Sequence, residues 1–155
     1  MTNDEIKETL KALPLGGLRG LTFEEGGEWI NVVVASADWR SFAKQLRSTA
    51  GLDFDYLFCV TCVDWKAHFT MVYHFTSTTH RHTIVVKSKL DRSNPEIETV
   101  CDIWRTAEFH EREQYDLFGV NFLNHPDLRR LLLEDDFVGF PLRKDFEDPI
   151  NMIKL

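Results

Sequence analysis

The sequence predicts an α+β fold: a small, mostly antiparallel sheet with flanking helices, followed by an extended C-terminal arm. Five strand-like runs and four helical stripes precede Gly119. The strands include a hairpin and a run with one apolar face, which is typical of antiparallel sheets. After Gly119 the periodicity fades although apolar residues continue. The 155 residues therefore divide into an α+β domain over 1–118 and an arm over 119–155.

The first helix is predicted over residues 3–13 from a short apolar stripe that proline and glycine terminate. The stripe and the stop consist of Ile6, Leu10, Leu13, Pro14, Gly16 and Gly17. Two strands follow, over about 19–25 and 28–35. The intervening EEGGE favours a hairpin turn, because glycine accepts a positive φ.

The second helix is predicted from Ser36, as the N-cap, to a stop at Gly51. Its stripe consists of Trp39, Phe42, Ala43 and Leu46. Three more strands are predicted over about 54–64, 68–76 and 81–88. The strand at 68–76 places aromatic residues and methionine on one face and polar residues with Val72 on the other. That alternation indicates a sheet with one face on the core.

Two further helices are predicted before the arm. In SNPEIETVCDIW, Asn94 is the expected N-cap and Pro95 the first helical residue. The apolar stripe consists of Ile97, Val100, Cys101 and Trp104. The next helix covers 106–118, with Thr106 as its cap and Gly119 as its stop.

The arm is too apolar for a disordered tail and too often broken by proline and glycine for a second core. The breaks are Pro126, Gly139, Pro141 and Pro149. Such a segment buries its apolar residues on a partner or, alternatively, folds back onto its own sheet. Because loops longer than about 15 residues are usually functional or disordered, we predict a partner.

Composition excludes several function classes. The net charge of −7 argues against a nucleic-acid interface, which needs a basic patch. No apolar run approaches the roughly 20 residues of a membrane helix. The N-terminus lacks the pattern of a signal or transit peptide. Three cysteines, an odd number, indicate free thiols in a reducing cytoplasm.

Two groups of residues have the spacing of metal ligands. Cys59 and Cys62 form a C-x-x-C, but residues three apart on a strand point to opposite faces, so we interpret them as strand cysteines. Cys101 has no cysteine neighbour, and an iron–sulfur cluster needs about four thiolates. A tight loop would bring His74, His80 and His82 together as zinc ligands, although polar residues on the wet face of a hairpin explain them better.

The sequence lacks a glycine-rich phosphate loop and a nucleophile elbow. Glu111 and Glu113 flank Arg112 on the predicted helix. Residues two apart lie about 200° apart around a helix axis, so these carboxylates serve two surfaces instead of one substrate. The helix has no plainly solvated face, which indicates an interface.

The stretch HEREQYDLFGVNFLNHPDLRRLLL resembles the signature of the family of the C subunit of respiratory complex I, the NADH:quinone oxidoreductase. Every position of the pattern fits. The matching residues are Glu111, Arg112, Glu113, Asp116, Leu117, Phe118, His125, Arg129, Leu131 and Leu132. The flanking VDW, YHF, DIW and GFPLRKDF also match, so the resemblance covers about residues 50–146.

The resemblance implies a peripheral-arm protein that binds no cofactor, since flavin (FMN) and iron–sulfur clusters belong to other subunits. It implies packing beside the D subunit and beside the one that carries the terminal iron–sulfur cluster. It also implies a peripheral location on the cytoplasmic side of the inner membrane. The alternative is the homologous component of a membrane-bound [NiFe] hydrogenase or formate hydrogenlyase. The form resembled is the short, unfused one, which implies a separate D subunit.

We hypothesise that the arm embraces the D subunit through desolvated ion pairs and apolar anchors. Arginine forks suit bidentate carboxylate contacts, and aromatic and aliphatic residues supply anchors. The expected interface residues are Glu111, Arg112, Glu113, Asp116, His125, Arg129, Arg130, Leu131, Phe137, Phe140, Arg143 and Lys144.

Overall fold

The computed structural model describes residues 1–13 and 20–152. The helices are α1 (Asn3–Lys11), α2 (Trp39–Ser48) and α3 (Ala107–Phe118), and a 3₁₀ turn at Ser36–Asp38 precedes α2. The strands are β1 (Thr22–Glu24), β2 (Ile30–Val33), β3 (Tyr56–Asp64), β4 (His68–Thr76), β5 (Thr83–Asp91), β6 (Glu96–Glu98) and β7 (Asn121–Leu123). The predicted stop at Pro14 and Gly16–Gly17, and the strand start at residue 19, lie outside the described residues.

The main sheet has five strands in the order β1-β2-β5-β4-β3. Its neighbours pair antiparallel except β2 and β5, which run parallel. The predicted hairpin is present, and Gly26 and Gly27 adopt φ values of +105° and +104° in its turn. The predicted α+β class with a mostly antiparallel sheet is confirmed.

The core lies between one face of this sheet and the helices. The apolar stripe of α2 is fully buried, and Trp39 stacks on Tyr73 of β4 with ring centroids 4.2 Å apart. Phe75 packs against Trp104 at 4.6 Å. Large aromatic residues bury the most area per side chain, so this aromatic layer anchors the helices to the strands.

Helix starts differ from their predicted caps. Ser36 is not the N-cap of α2, because it begins the 3₁₀ turn and the helix starts at Trp39. Thr106 occupies the cap position of α3, but its hydroxyl donates to the carbonyl of Leu57 at 2.7 Å. The helix end is as predicted: Gly119 adopts φ +74° and its N–H donates to Tyr115.

The helix predicted over 94–104 is wrong. Residues Glu96–Glu98 form β6, which pairs in parallel with β7, and a turn follows. The local capping pattern at Asn94–Pro95 is overridden by tertiary contacts. Ile97 pairs with Phe122 across the two strands and both are buried, while the amide of Val100 donates to the carboxylate of Glu111.

After Gly119 the chain enters β7 directly, so the two-stranded sheet joins the start of the predicted arm to the domain. Residues 124–152 contain turns and bends without helix or strand. They lie along α3 and the ends of β3 and β4, where hydrogen bonds link Leu142 to Leu117 and Lys144 to Asp64. Docking of this arm on a partner protein stays a prediction.

Candidate interaction surface

Helix α3 turns charged residues inward. Glu111, Arg112, Gln114 and Asp116 are buried, although three of them carry ionisable groups. Burying a charge is costly unless hydrogen bonds or an opposite charge compensate it. Their partners are therefore the key to the site, and most of those partners lie in the arm.

Asp116 binds the backbone of the arm. Its Oδ2 accepts the N–H groups of Leu131, Leu132 and Leu133 at 3.0, 2.6 and 2.9 Å. Its Oδ1 accepts Arg130 Nη1 at 2.8 Å. Burial acts to raise the pKa of Asp116, but these hydrogen bonds outweigh it and lower the pKa. A buried carboxylate thus fixes three consecutive residues and one guanidinium.

Arg130 connects that carboxylate to the middle of the arm. Its Nη2 donates to the carbonyls of Phe137 and Gly139 at 2.9 and 3.3 Å. Its guanidinium carbon lies 5.8 Å from the centre of the Phe137 ring and 5.6 Å from that of Phe140, which is cation–π geometry. The planar guanidinium has several N–H donors, so it can bind the Asp116 carboxylate and the two arm carbonyls at the same time.

Arg112 and Arg129 differ although both were predicted as interface residues. Arg112 is buried and donates to the carbonyls of Arg129 and Arg130 at 3.2 and 3.0 Å. The Arg129 side chain is 68% exposed and bonds Asp127 in the same loop. Arg112 therefore holds the arm from within, while Arg129 faces solvent and is available to a partner.

A second group of ion pairs and hydrogen bonds holds the arm at Lys144 and Asp145. Asp64, at the end of β3, accepts Arg92 Nε and Nη2 at 3.2 and 3.0 Å and the amide of Lys144 at 2.9 Å. Arg92 also donates to Asp145 at 2.6 Å. The bonds from Arg92 hold the pKa of Asp64 well below its usual range. The interface prediction did not include Asp64 and Arg92, and VDW was noted only as a motif.

Arg143 and Gly119 form the close contact between α3 and the arm. Arg143 Nε donates to the carbonyl of Phe118 at 2.6 Å and lies over the rings of Phe69 and Phe140. A Cβ added to Gly119 would lie 2.6 Å from the ring of Phe140 and 2.7 Å from Arg143. Glycine is therefore required here by its positive φ and by the close approach of the arm.

The remaining predicted residues occupy different environments. His125 is buried at the start of the arm beside Glu111, with 3.8 Å between Nε2 and Oε2. Glu113 is half-buried, and its carboxylate accepts a hydrogen bond from the side-chain amide of Gln114 at 3.4 Å. The ammonium of Lys144 lies over the Trp65 ring at 5.8 Å. Phe137 stacks on Phe146 inside the arm, so Phe137 and Phe140 mainly pack the arm itself.

Several apolar side chains of the arm are exposed, and we call four of them the outer arm surface. It consists of Leu131, Leu132, Val138 and Leu142. Leu132 is 63% and Val138 88% exposed. Along the sequence, the acidic residues 134–136 lie between Leu132 and Val138. The interface prediction did not include Val138, because the segment around it, DDFVGFPL, has no regular apolar periodicity.

The candidate metal sites do not assemble. His74 pairs with Val85 across β4 and β5, and its ring contacts Trp29 and Phe58 instead of His80 and His82. Cys62 is buried and Cys59 is half-buried, and both are free thiols. Burial raises the pKa of Cys62 to about 12, which disfavours the thiolate that metal binding and redox chemistry need.

Cys101, Glu111 and His125 bring three donor atoms within 4.8 Å of one another. His125 Nδ1 accepts the amide of Asp127 at 3.1 Å, so the hydrogen of a neutral ring is on Nε2. Nε2 then donates to the carbonyl of Glu108 at 3.1 Å. Because the nitrogen that faces the cluster carries hydrogen instead of a lone pair, these residues do not fit a metal centre.

Over residues 1–13 and 20–152, no helix combines the length and the apolar character needed to cross a bilayer. The fold and the network together define a small α+β protein. Its C-terminal arm is held against the domain by hydrogen bonds and exposes apolar side chains, a form suited to a component of a larger assembly. The chain belongs to the family of the respiratory-chain NADH dehydrogenase 30-kDa subunit, whose sequence model matches residues 32–150. The family predicted from the Glu111–Leu132 motif is confirmed.

Relatives with known names agree with this family. The chain is 43% identical over 114 residues to the C/D subunit of the NADH-quinone oxidoreductase of Phocaeicola vulgatus, covering 72% of this chain and 22% of that protein. It is 42% identical over 111 residues to the C subunit of the Chloroherpeton thalassium enzyme, covering 70% and 46%. It is 43% identical over 99 residues to the C subunit of the F(420)H(2) dehydrogenase of Methanosarcina mazei, covering 62% and 63%. The chain therefore spans less than two thirds of each of these relatives.

Two solved structures share the fold. The trypsin-resistant fragment 1–134 of Nqo5 superposes with a TM-score of 0.68 and 25% identity, covering 81% of this chain and 98% of that chain. A chain of the membrane-bound sulfane sulfur reductase, an archaeal respiratory membrane complex, superposes with a TM-score of 0.76 and 25% identity. That match covers 93% of this chain and 84% of the other.

Proposed function

We propose that the chain is the C subunit of an NADH:quinone oxidoreductase. It acts as a docking protein in the peripheral part of that complex, which is not to be confused with the C-terminal arm of this chain. It holds no cofactor and carries out no chemistry alone, while flavin and iron–sulfur clusters in other subunits transfer the electrons to quinone. The observation that carries this proposal is the buried network of Arg112, Asp116 and Arg130, which holds the arm while Leu132 and Val138 stay exposed.

The D subunit is the partner that we propose for the outer arm surface. The related protein of Phocaeicola vulgatus has the designation C/D in its name, so a C-like and a D-like part occur in one chain there. A separate D subunit would then need a specific surface in place of the covalent link. The neighbouring protein with the terminal iron–sulfur cluster is the second partner, and such an assembly would hold this chain peripherally at the cytoplasmic side of the inner membrane.

Exposed anchors at a protein interface make binding sensitive to single polar substitutions. We therefore expect the double variant Leu132→Asp/Val138→Asp to weaken binding to the D subunit by about tenfold or more per residue, since each lost anchor contributes more than about 1.4 kcal/mol. The thermal unfolding midpoint should stay within about 2 °C of wild type, because both side chains already face solvent.

The measurement is a native pull-down with mass spectrometry, quantified against tagged wild-type chain. Tyr56→Asp is the matched control, since Tyr56 is also exposed but begins β3 instead of lying in the arm. Full recovery of the D subunit with the double variant would contradict docking through the outer arm surface. Loss of the D subunit with the control alone would assign the interface to the sheet.

A second candidate function is that of the corresponding component of a related respiratory complex with another electron donor. The relative from Methanosarcina mazei and the sulfane sulfur reductase favour it, because their names describe dehydrogenase or reductase complexes other than NADH dehydrogenase. The [NiFe] hydrogenase and formate hydrogenlyase alternative belongs to the same group. The pull-down distinguishes them: a co-purifying NADH-binding flavoprotein supports the first function, and a hydrogenase or other donor-specific protein supports the second.

A further inference from the structure

The carboxyl group of Glu111 is buried, and over residues 1–13 and 20–152 no Lys or Arg side chain forms an ion pair with it. Its Oε1 accepts the amide of Val100 at 2.9 Å, and its Oε2 accepts the hydroxyl of Thr99. The guanidinium of Arg40 forms its own bidentate pair with Asp102 at 3.0 and 2.8 Å. A buried carboxylate with hydrogen bonds but no ion pair is only partly compensated for its lost hydration.

His125 lies beside this carboxyl group without a hydrogen bond to it. Its Nδ1 accepts the amide of Asp127, so its Nε2–H donates to the carbonyl of Glu108 at 3.1 Å, and Nε2 lies 3.8 Å from Glu111 Oε2. His125 lies only four residues before Arg129, where Arg112 begins to hold the arm. Glu111 therefore lies beside the segment that leads to the part of the arm held by Arg112.

The groups that face Glu111 come from four other elements. They are Arg40 of α2, Tyr73 of β4, Cys101 and Asp102 of the turn after β6, and His125 of the loop after β7. The hydroxyl of Tyr73 is buried and has no hydrogen-bond partner among the described residues. Burial raises the pKa of Glu111 to about 7, although the bonds from Thr99 and Val100 oppose the rise.

Solvent reaches the edge of this cluster. A cavity of about 440 Å³ opens beside it, and its lining includes Thr99, Cys101, Glu108 and Asn124. Thr99 donates its hydroxyl to Glu111, so water in the cavity lies one side chain away from the carboxyl group.

We propose that the buried carboxyl group of Glu111 is a proton-binding site that exchanges a proton with solvent and couples its ionisation to His125 at the start of the arm. When the carboxyl group is ionised, Oε2 attracts the Nε2–H of His125. When it binds a proton from water, its O–H turns to Thr99 and that attraction ends. The step is a simple acid–base equilibrium, with the released proton passing to water.

Amide chemical shifts of the full-length chain test this directly. The amide proton of Val100 donates to Glu111, so its shift should titrate with a midpoint near pH 7 in wild type and become flat in Glu111→Gln. The amide of Asp127, which donates to His125, should follow the same midpoint in wild type. Glu113→Gln, which removes a half-buried carboxylate two residues away, should leave both titrations unchanged.

Stability against urea gives an independent readout. The folded pKa of Glu111 is about 7, above its ordinary value of 4.5, so the folded chain holds a proton that the unfolded chain has lost. The stabilisation is present below pH 4.5 and is lost as the pH rises through 7. The wild-type urea midpoint should therefore fall across this window relative to that of Glu111→Gln.

Four results would overturn the proposal or a part of it. A Val100 amide that stays flat between pH 5.5 and 8 in wild type would remove the proton-binding site, and so would a titration that persists in Glu111→Gln. A Val100 titration without any matching change at Asp127 would remove the coupling to the arm. If Glu111→Gln fails to fold, Thr99→Val serves instead: loss of its hydroxyl bond to the carboxylate should shift the midpoint upward, and an unshifted midpoint contradicts the assignment.

Discussion

Asp116→Asn is expected to lower the free energy of unfolding by about 3–5 kcal/mol, because it breaks a buried ion pair from one side. Arg130 would lose the charge that it binds at 2.8 Å. The amides of Leu131, Leu132 and Leu133 would face a neutral side chain that presents one oxygen and an NH₂ group. The measurement is urea unfolding of the purified chain at neutral pH.

The matched control is Asp127→Asn. Asp127 also pairs with arginine: it accepts Arg129 Nε at 2.9 Å and lies 3.7 Å from Arg112 Nη1, but its side chain is 46% exposed. Exposed ion pairs contribute about 0–1 kcal/mol, so this variant should change stability little. Equal losses in the two variants would show that Asp116 is not the centre of the arm network.

Gly119→Ala should destabilise the chain by about 2–4 kcal/mol, the sum of a left-handed backbone strain and an overpacked contact. The residue has φ +74°, and a new Cβ would lie 2.6 Å from the Phe140 ring. The same Cβ would lie 2.7 Å from Arg143 Nη2, and Arg143 lies over the Phe140 ring, so both side chains would have to shift. The urea midpoint and the near-ultraviolet circular dichroism measure the effect.

Gly51→Ala separates the two causes. Gly51 has a similar φ of +85°, but a Cβ there would meet its nearest atom, Met1 Sδ, at an ordinary 3.6 Å. It should therefore lose only the strain contribution of about 1–2 kcal/mol. If both variants lose the same amount, the close contact between Gly119 and the arm does not contribute.

Local sequence signals predicted most of the α+β domain. Strand β4 begins and ends where its alternation predicted, at His68 and Thr76, because its inward residues face one continuous core. Helix α3 ends at Gly119 as expected, since the left-handed C-cap is a local preference. By contrast, Asn94–Pro95 resembles a helix start, and only the distant partners Phe122 and Glu111 make the segment a strand and a turn.

The role of the predicted interface residues at a partner stays a prediction, and their contacts within the chain were not predicted. The interface hypothesis grouped Arg112, Asp116, Arg129 and Arg130 as contacts to a partner. The structure instead places Arg112, Asp116 and Arg130 inside the chain, where they bind the arm backbone, and leaves Arg129 outside. A sequence motif does not show whether an acidic residue forms its ion pair with a partner protein or with its own chain. Both contacts use the same residue types.

Amide hydrogen exchange on the isolated wild-type chain tests the central claim most directly, namely that the arm is held by its own domain before any partner binds. The amides of Leu131, Leu132 and Leu133 donate to the buried carboxylate of Asp116 and should exchange far more slowly than unstructured peptide. Exchange of these three amides at the rate of an unstructured chain would contradict the claim and would show that the arm takes its shape only on a partner.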